Sequence, residues 1–146
     1  MNVAKLGHWQ RFVRCVSGLV LTVGLVPLAG LASTKWYVDG FRGSNGYSGQ
    51  SSLYPRRTIQ SAINSASIGD HILVAGGVYH ENLTLSKRVT LYSYESGVVV
   101  VDGRHAGHCL LITEKASGCV VDGFVFTHGA PTNNGNKYGG GVDCLA

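Results

Sequence analysis

The chain has 146 residues, of which 21 are Gly and only 3 are Pro. Charged residues make up 14% of the sequence, well below the ~25% of an average soluble domain, and hydrophobic residues make up 45%. This composition excludes a disordered charged tail, a coiled coil and a long helical bundle. It favours one domain in which short apolar strands are joined by tight turns.

The N-terminal segment, 1–32, has the three parts of a secretory signal peptide. Three basic residues come first, an apolar run from Val16 to Ala32 follows, and small residues stand at its end. The run is at the short limit for a membrane span, and no basic stop-transfer cluster follows it. We therefore predict cleavage after Ala32 and a secreted or cell-surface protein with no stable membrane span. A retained membrane anchor is the alternative.

Removal of the signal peptide also removes most of the net charge. The whole chain carries a formal charge of +4, whereas residues 33–146 hold 9 Lys and Arg against 8 Asp and Glu, which gives +1. The basic charge was the only feature that favoured nucleic-acid binding, and it lies mainly in the signal peptide. We therefore predict no nucleic-acid partner.

Three cysteines remain after cleavage: Cys109, Cys119 and Cys144. Their spacing matches no zinc-binding pattern. In an oxidising compartment, one disulfide with one free thiol is open. The favoured interpretation is that Cys109 and Cys119 are small apolar residues at the starts of strands.

One helix is predicted near the start of the remaining chain. A short strand at 36–38 and a Gly- and Ser-rich loop at 43–49 precede it. Pro55 opens the helix and Gly69 ends it. Its apolar positions have the spacing i, i+3, i+4 and i+7 of a single stripe: Ile59, Ala62, Ile63 and Ala66.

From His71 onward the apolar residues form short runs that are ended by Gly, Asp-Gly or Asn, which is typical of strands. The runs lack the paired, alternating pattern of hairpins, so we predict a coil with about three short strands per turn. The runs at Val89, Val98 and Cys109 would form one turn, and the run at Cys119 would begin the next. Alternate residues of that last run are expected to point inward: Cys119, Val121, Phe124 and Phe126.

Two segments resemble the start of right-handed parallel β-helix proteins of the pectin-lyase-like group, which includes the pectate lyases. They are Thr58-Ile59-Gln60-Ser61-Ala62-Ile63 and the stretch from Gly69 to Leu83, which contains Gly-Asp-His-Ile-Leu-Val and Gly-Val-Tyr-His-Glu. The likeness extends over 35–144. It implies an all-β fold, a right-handed parallel β-helix (solenoid) with a short capping helix. Residues 33–70 would form the first strand, the loop and the cap, and residues 71–146 the first turns.

The length available for such a coil is small. Residues 71–146 supply about two and a half turns, whereas solenoids need about three or more repeats with a cap at each end. We therefore expect the N-terminal portion of a longer protein, or a truncated frame, that is incomplete at its C-terminus. Self-association through the open β-helix end is a second expectation.

The candidate ligand-binding residues fall into two sets. The polar set consists of Asp102, Asp122, Asp143, His105 and His128, and the aromatic set of Tyr92 and Tyr94. The resemblance implies that a pectate lyase would hold Ca²⁺ with clustered carboxylates and use a Lys or Arg base. No dense acidic cluster exists here, so we assign no catalytic residue, and Ca²⁺ enters only if the lyase alternative holds.

Each set also has an interpretation in which its residues have only structural roles. Asp102 and Asp122 both precede Gly, which favours capping of turn N–H groups over metal binding. The spacing of His105, His108 and His128 fixes no metal geometry, so no metal site is predicted. The tyrosines offer stacking faces to sugar rings, but they are also ordinary strand residues.

We therefore predict an exported pectin-lyase-like β-helix domain or fragment that associates with polysaccharide by binding or processing and lacks a complete catalytic site. A surface-exposed structural or adhesin-type repeat protein is the first alternative. The N-terminal part of a Ca²⁺-dependent pectate lyase is the second, and any enzymatic activity would then be that of a polysaccharide lyase. Asn82-Leu83-Thr84 is in addition an N-glycosylation sequon, which matters only in a glycosylating host.

Overall fold

The computed structural model describes residues 32–131 and 140–145. The predicted signal peptide therefore lies outside the described residues except for Ala32. The described elements, in chain order, are β1 (Lys35–Val38), α1 (Ile59–Ser65), β2 (His71–Tyr79), β3 (Leu83–Leu85), β4 (Thr90–Asp102), β5 (Leu110–Ile112), a 3₁₀ turn (Glu114–Ala116), β6 (Val120–Asp122), β7 (Phe124–Thr127) and β8 (Val142–Cys144).

The strands form two parallel sheets. The larger sheet has the order β1-β2-β4-β6, and β7 pairs with the second half of β4. The smaller sheet has the order β3-β5-β8. Every pair of described strands is parallel, as the sequence predicts.

The predicted fold class, an all-β right-handed parallel β-helix, is wrong. The described residues form a mixed α/β arrangement of a five-stranded parallel sheet, a three-stranded parallel sheet and one helix. The predicted turn required a corner between the runs at Val89 and Val98. The chain instead continues as β4 for 13 residues, because the segment between these runs is rich in strand-forming residues and contains no Pro.

The core lies between the inner faces of the strands and the helix. Ile59, Ala62 and Ile63 of α1 pack in the same cluster as Ile72 and Leu91 of the larger sheet. The predicted inward residues of the last run, Cys119, Val121, Phe124 and Phe126, pack against this cluster while remaining partly buried. The alternation that the sequence predicts for these strands is confirmed, since Val120 and Val125 are about half exposed.

The helix is held at its start by side chains. It begins after Thr58, whose hydroxyl accepts a hydrogen bond from the N–H of Ser61, and not at Pro55 as the sequence suggests. The Glu81 carboxylate accepts the N–H groups of Ile59 and Gln60, at 2.9 Å each. Burial raises the pKa of Glu81, and these two hydrogen bonds oppose the rise. Glu81 thus joins the helix to the segment between β2 and β3.

A buried carboxylate, Asp70, holds strand β1. It accepts hydrogen bonds from the indole Nε1 of Trp36 at 2.9 Å and from the N–H groups of Thr34 and Ser67 at 2.8 Å each. Burial alone raises the pKa of Asp70, but these hydrogen bonds outweigh burial and leave the pKa below its usual value. The ionised carboxylate therefore ties β1 to the loop before β2.

We expect Asp70→Asn to lower the free energy of unfolding at pH 7 by about 2–4 kcal/mol, because an amide cannot accept all three hydrogen bonds. Since the folded pKa is lowered, the wild-type contribution is present above the unfolded value of ~3.9 and disappears as pH falls through the folded value. Urea unfolding between pH 7 and pH 2 should therefore show the wild type losing stability faster than Asp70→Asn. The matched control is Asp122→Asn at an exposed position, for which a change under about 0.5 kcal/mol is expected. Equal losses in the two variants would contradict this assignment.

Candidate functional site

Three tyrosines share the outer side of the larger sheet. The register places Tyr37 of β1 beside Leu73 of β2, and Leu73 beside Tyr92 of β4. Tyr94 lies two residues further along β4, and its ring meets the ring of Tyr37 edge-on, with centroids 5.6 Å apart. We call Tyr37, Tyr92 and Tyr94 the tyrosine face.

The floor beneath these rings is apolar. Leu73 and Ala75 of β2 are 7% and 6% exposed, yet neither belongs to the core cluster, which takes the alternate residues Ile72 and Val74. The register places Leu73 between Tyr37 and Tyr92 and places Ala75 beside Tyr94. The tyrosine rings therefore cover this side of β2, and together they form an amphipathic surface with phenol hydroxyl groups.

Charged groups border the tyrosine face near Tyr94. Asp39 accepts a hydrogen bond from Nε of Arg42 at 2.7 Å, and this bond raises the pKa of Arg42, to which the charge of Glu95 adds. Burial raises the pKa of Tyr94, and its hydrogen bond with Glu95 raises it further. One cation, two carboxylates and a phenol therefore meet at this border.

A shallow cavity of about 290 Å³ lies next to Tyr94 and is lined by Gly76, Gly77, Glu95, Gly97 and Val98. The register of β2 against β4 shifts here, between Ala75 and Gly77. The two backbones approach so closely that a Cβ on Gly76 would lie 2.5 Å from the Cα of Gly97. The cavity floor is therefore bare backbone, and only glycine fits at this crossing.

The second group of polar residues lies at the carboxyl ends of β2, β4 and β7. Nδ1 of His128 lies 3.2 Å from Oδ1 of Asp102 in a hydrogen bond, and Nδ1 of His80 lies 3.3 Å from Oδ2. The N–H of Arg104 donates to Oδ1 at 3.0 Å, and the ring of His105 lies 5.2 Å from the ring of His128. We call these five residues the Asp102 cluster.

The N–H of Arg104 is the main reason that the pKa of Asp102 lies below its usual value, and the hydrogen bond and charge of His128 lower it further. Three residues of this cluster, Arg104, His105 and His128, have left-handed backbones with φ between 49° and 56°. Among the described residues, only one other non-glycine residue, Glu95, has a positive φ. Backbone strain of this kind is concentrated at functional sites in proteins. It is present in both candidate regions, in the Asp102 cluster and at Glu95 beside the tyrosine face.

The structure thus brings together some predicted site residues and separates others. Asp102, His105 and His128 meet in one cluster, and Tyr92 and Tyr94 lie on one face. Asp143 lies elsewhere, with Oδ2 at 3.5 Å from Nε2 of the buried His108. Asp122 is exposed on β6, in register with Tyr92.

Turn capping by aspartate, which the sequence favours over metal binding, is found at Asp102, whose Oδ1 accepts the N–H of Arg104. The three histidines of the sequence pattern do not lie together. The ring of His105 lies against that of His128, whereas His108 contacts Asp143. Across residues 32–131 and 140–145, no three His, Cys, Asp or Glu side chains are grouped so that they could hold a metal ion.

The cysteines and the glycosylation sequon have structural partners. Cys109 is fully buried, and its Sγ lies 3.1 Å from the carbonyl oxygen of Thr127, which supports the interpretation of Cys109 as a core residue. Nδ2 of Asn82 donates to the carbonyl oxygens of Gly103 at 3.3 Å and of His108 at 2.9 Å. Both amide hydrogens of the sequon are therefore used to hold the 103–108 loop.

No protein-family model matches this chain, and a search of curated proteins finds no match. No helix in the part of the chain that the structure describes has the length and apolar content needed to cross a membrane.

Sequence reasoning missed His80, Arg42 and Glu95. His80 directly follows β2, and the signal that would have found it is its register position beside Asp102, because the ends of neighbouring parallel strands meet at one edge. Arg42 and Glu95 are brought together by the β1–β2–β4 pairing, which joins segments about 50 residues apart. No local motif marks that contact.

We expect Gly76→Ala to lower the free energy of unfolding by about 3 kcal/mol, because the added Cβ would collide with the backbone of β4. Gly141→Ala is the control, since nothing lies within 4 Å of a Cβ at that position. Chemical denaturation of both variants measures the difference. A Gly76→Ala protein as stable as Gly141→Ala would show that the two strands do not approach as described.

Proposed function

We propose that this protein is an exported carbohydrate-binding domain, secreted or held at the cell surface, whose binding surface is the tyrosine face. The observation that carries the proposal is that Tyr37, Tyr92 and Tyr94 lie on one side of the larger sheet over an apolar floor. Sugar rings have flat apolar C–H faces that stack on aromatic rings, and tyrosine adds a hydroxyl for hydrogen bonding.

The polar border of the face supports the same proposal. Sugar hydroxyls both donate and accept hydrogen bonds, so a site for them needs acceptors and donors at fixed positions. The exposed carboxylate of Glu95 supplies acceptors, and the Arg42 guanidinium, held by the buried Asp39, supplies donors. The neighbouring cavity of about 290 Å³ is at the small end of ligand pockets, which suits one sugar unit of a chain that stacks on the tyrosines.

These residues favour a protein that binds carbohydrate without converting it chemically. The acidic residues do not converge: Asp102 is occupied by imidazoles, Asp143 contacts His108, and Asp122 lies apart on β6. A Ca²⁺ site requires six to eight oxygen ligands, so the described residues give the calcium-dependent lyase alternative no support.

A second candidate function, a structural or adhesin-type surface protein, is favoured by a row of valines. Val78, Val100 and Val125 are cross-strand partners on β2, β4 and β7, and Val78 and Val125 are 60% and 49% exposed. Such an apolar row on a sheet surface suits contact with another protein. Binding to immobilised protein in the absence of any binding to glycans would favour this candidate.

The carbohydrate proposal is tested by screening the full chain on an array of neutral and acidic glycans and measuring the affinity of the best binder by calorimetry. We expect Tyr37→Ala, Tyr92→Ala and Tyr94→Ala each to weaken binding about tenfold, since loss of one stacking ring costs on the order of 1 kcal/mol or more. Circular dichroism confirms that each variant is folded.

Tyr54→Ala is the matched control, because Tyr54 is 57% exposed and its ring meets Tyr47 in the loop between β1 and α1, not a ring of the tyrosine face. Its affinity should equal that of the wild type. Absence of binding to every glycan, or an equal loss in Tyr54→Ala, would refute the proposed function.

A further inference from the structure

The Asp102 cluster fixes which ring nitrogen of His128 carries the proton, and sugar binding at the tyrosine face does not require this. An ionised carboxylate only accepts hydrogen bonds, so the hydrogen bond between Asp102 and Nδ1 of His128 places the proton on Nδ1. In the neutral ring, Nε2 then carries an unshared electron pair and acts as a base. The His128 side chain is 56% exposed, whereas that of Asp102 is 18% exposed. A solvent-accessible imidazole is thus oriented by a shielded carboxylate.

The surrounding backbone fixes this pair. The N–H of Gly103 donates to the carbonyl oxygen of Thr127 at 2.9 Å, and the N–H of His105 donates to that of His128 at 2.6 Å. These bonds join the turn after β4 to the end of β7 on either side of the Asp102–His128 contact. Arg104, His105 and His128, which have left-handed backbones, lie within or directly beside these bonds. The backbone on both sides of the contact is therefore fixed by hydrogen bonds, and the hydrogen bond to Asp102 orients the imidazole.

We propose that His128, positioned by Asp102, is a general base that hydrolyses accessible acyl esters with water as the nucleophile. This activity goes beyond carbohydrate binding and uses none of the residues of the tyrosine face. His128 is the catalytic residue, and Asp102 is a positioning residue that acts through it.

The reaction balances without a cofactor. Nε2 of His128 accepts a proton from water while the water oxygen forms a bond to the ester carbonyl carbon. The bond between that carbon and the alcohol oxygen then breaks, and the leaving oxygen takes the proton from the imidazolium. The products are a carboxylic acid and an alcohol, and His128 returns to its starting state. No Ser or Cys nucleophile is required.

The test uses the full chain with p-nitrophenyl acetate, and release of p-nitrophenol is followed between pH 5 and pH 8.5. We expect His128→Gln to lower the second-order rate constant at pH 8 at least tenfold, since general-base catalysis contributes about 10²- to 10⁴-fold. The wild-type reaction should also be slower in heavy water.

Asp102→Asn separates positioning from structure. Its amide can donate to Nδ1, which moves the imidazole proton to Nε2 and removes the base. We expect at least a tenfold lower rate at pH 8 and a change of the His128 tautomer in ¹⁵N NMR spectra. If Asp102→Asn is unfolded by circular dichroism, His128→Gln decides the matter alone, since His128 is exposed.

The control is His71→Gln, which removes a histidine of β2 that lies outside the Asp102 cluster. Its rate should stay within twofold of the wild type. The proposal is overturned if His128→Gln hydrolyses the ester as fast as the wild type, or if His71→Gln loses as much activity as His128→Gln. Either result would mean that the observed hydrolysis does not depend specifically on the imidazole of His128.

Discussion

The parallel ladder between β2 and β4 is the interaction on which the rest of this structure depends. Eight residue pairs hold the two strands in register, and β1, β6 and β7 attach to one or the other of them. The close approach of Gly76 and Gly97 divides the ladder into two parts. The first part carries the tyrosine face, and the second part ends at the Asp102 cluster. A slip of one residue in this pairing would reverse the face of every side chain and abolish both arrangements.

The two regions differ in how they are held. The tyrosine face rests on buried Leu73 and Ala75, so its geometry follows from sheet packing alone. The Asp102 cluster is instead held by hydrogen bonds between strand ends and by three left-handed residues. Such conformations cost on the order of 1–3 kcal/mol each, and they persist only where the surrounding contacts fix them. The geometry of the Asp102 cluster therefore depends on contacts with the rest of the domain, whereas that of the tyrosine face does not depend on strained residues.

Local patterns in the sequence predicted individual elements better than their assembly. The apolar stripe of α1, strand β1 and the inward side chains of β6 and β7 follow from the pattern of apolar residues, whereas the parallel pairing was expected from the absence of hairpin patterns and from the β-helix resemblance. The fold class was wrong because residues 95–98 form an irregularity within β4 opposite Gly76, and not the corner that would separate Val89 from Val98. This irregularity depends on the close approach of Gly76 in another strand. Likewise His105 and His128 were candidates, but their partner His80 is identified only by strand register.

The two hydrogen bonds from Asn82 have a consequence in any host that attaches glycans to asparagine. A sugar on Nδ2 would replace one of the hydrogens that restrain the 103–108 loop, and this loop presents Arg104 and His105. Glycan transfer would then compete with folding of this loop. Molecules that are glycosylated before the loop folds would hold Arg104 and His105 less rigidly than the others. Such a host would produce two populations of the same polypeptide, distinguished by mass and by the rigidity of one turn.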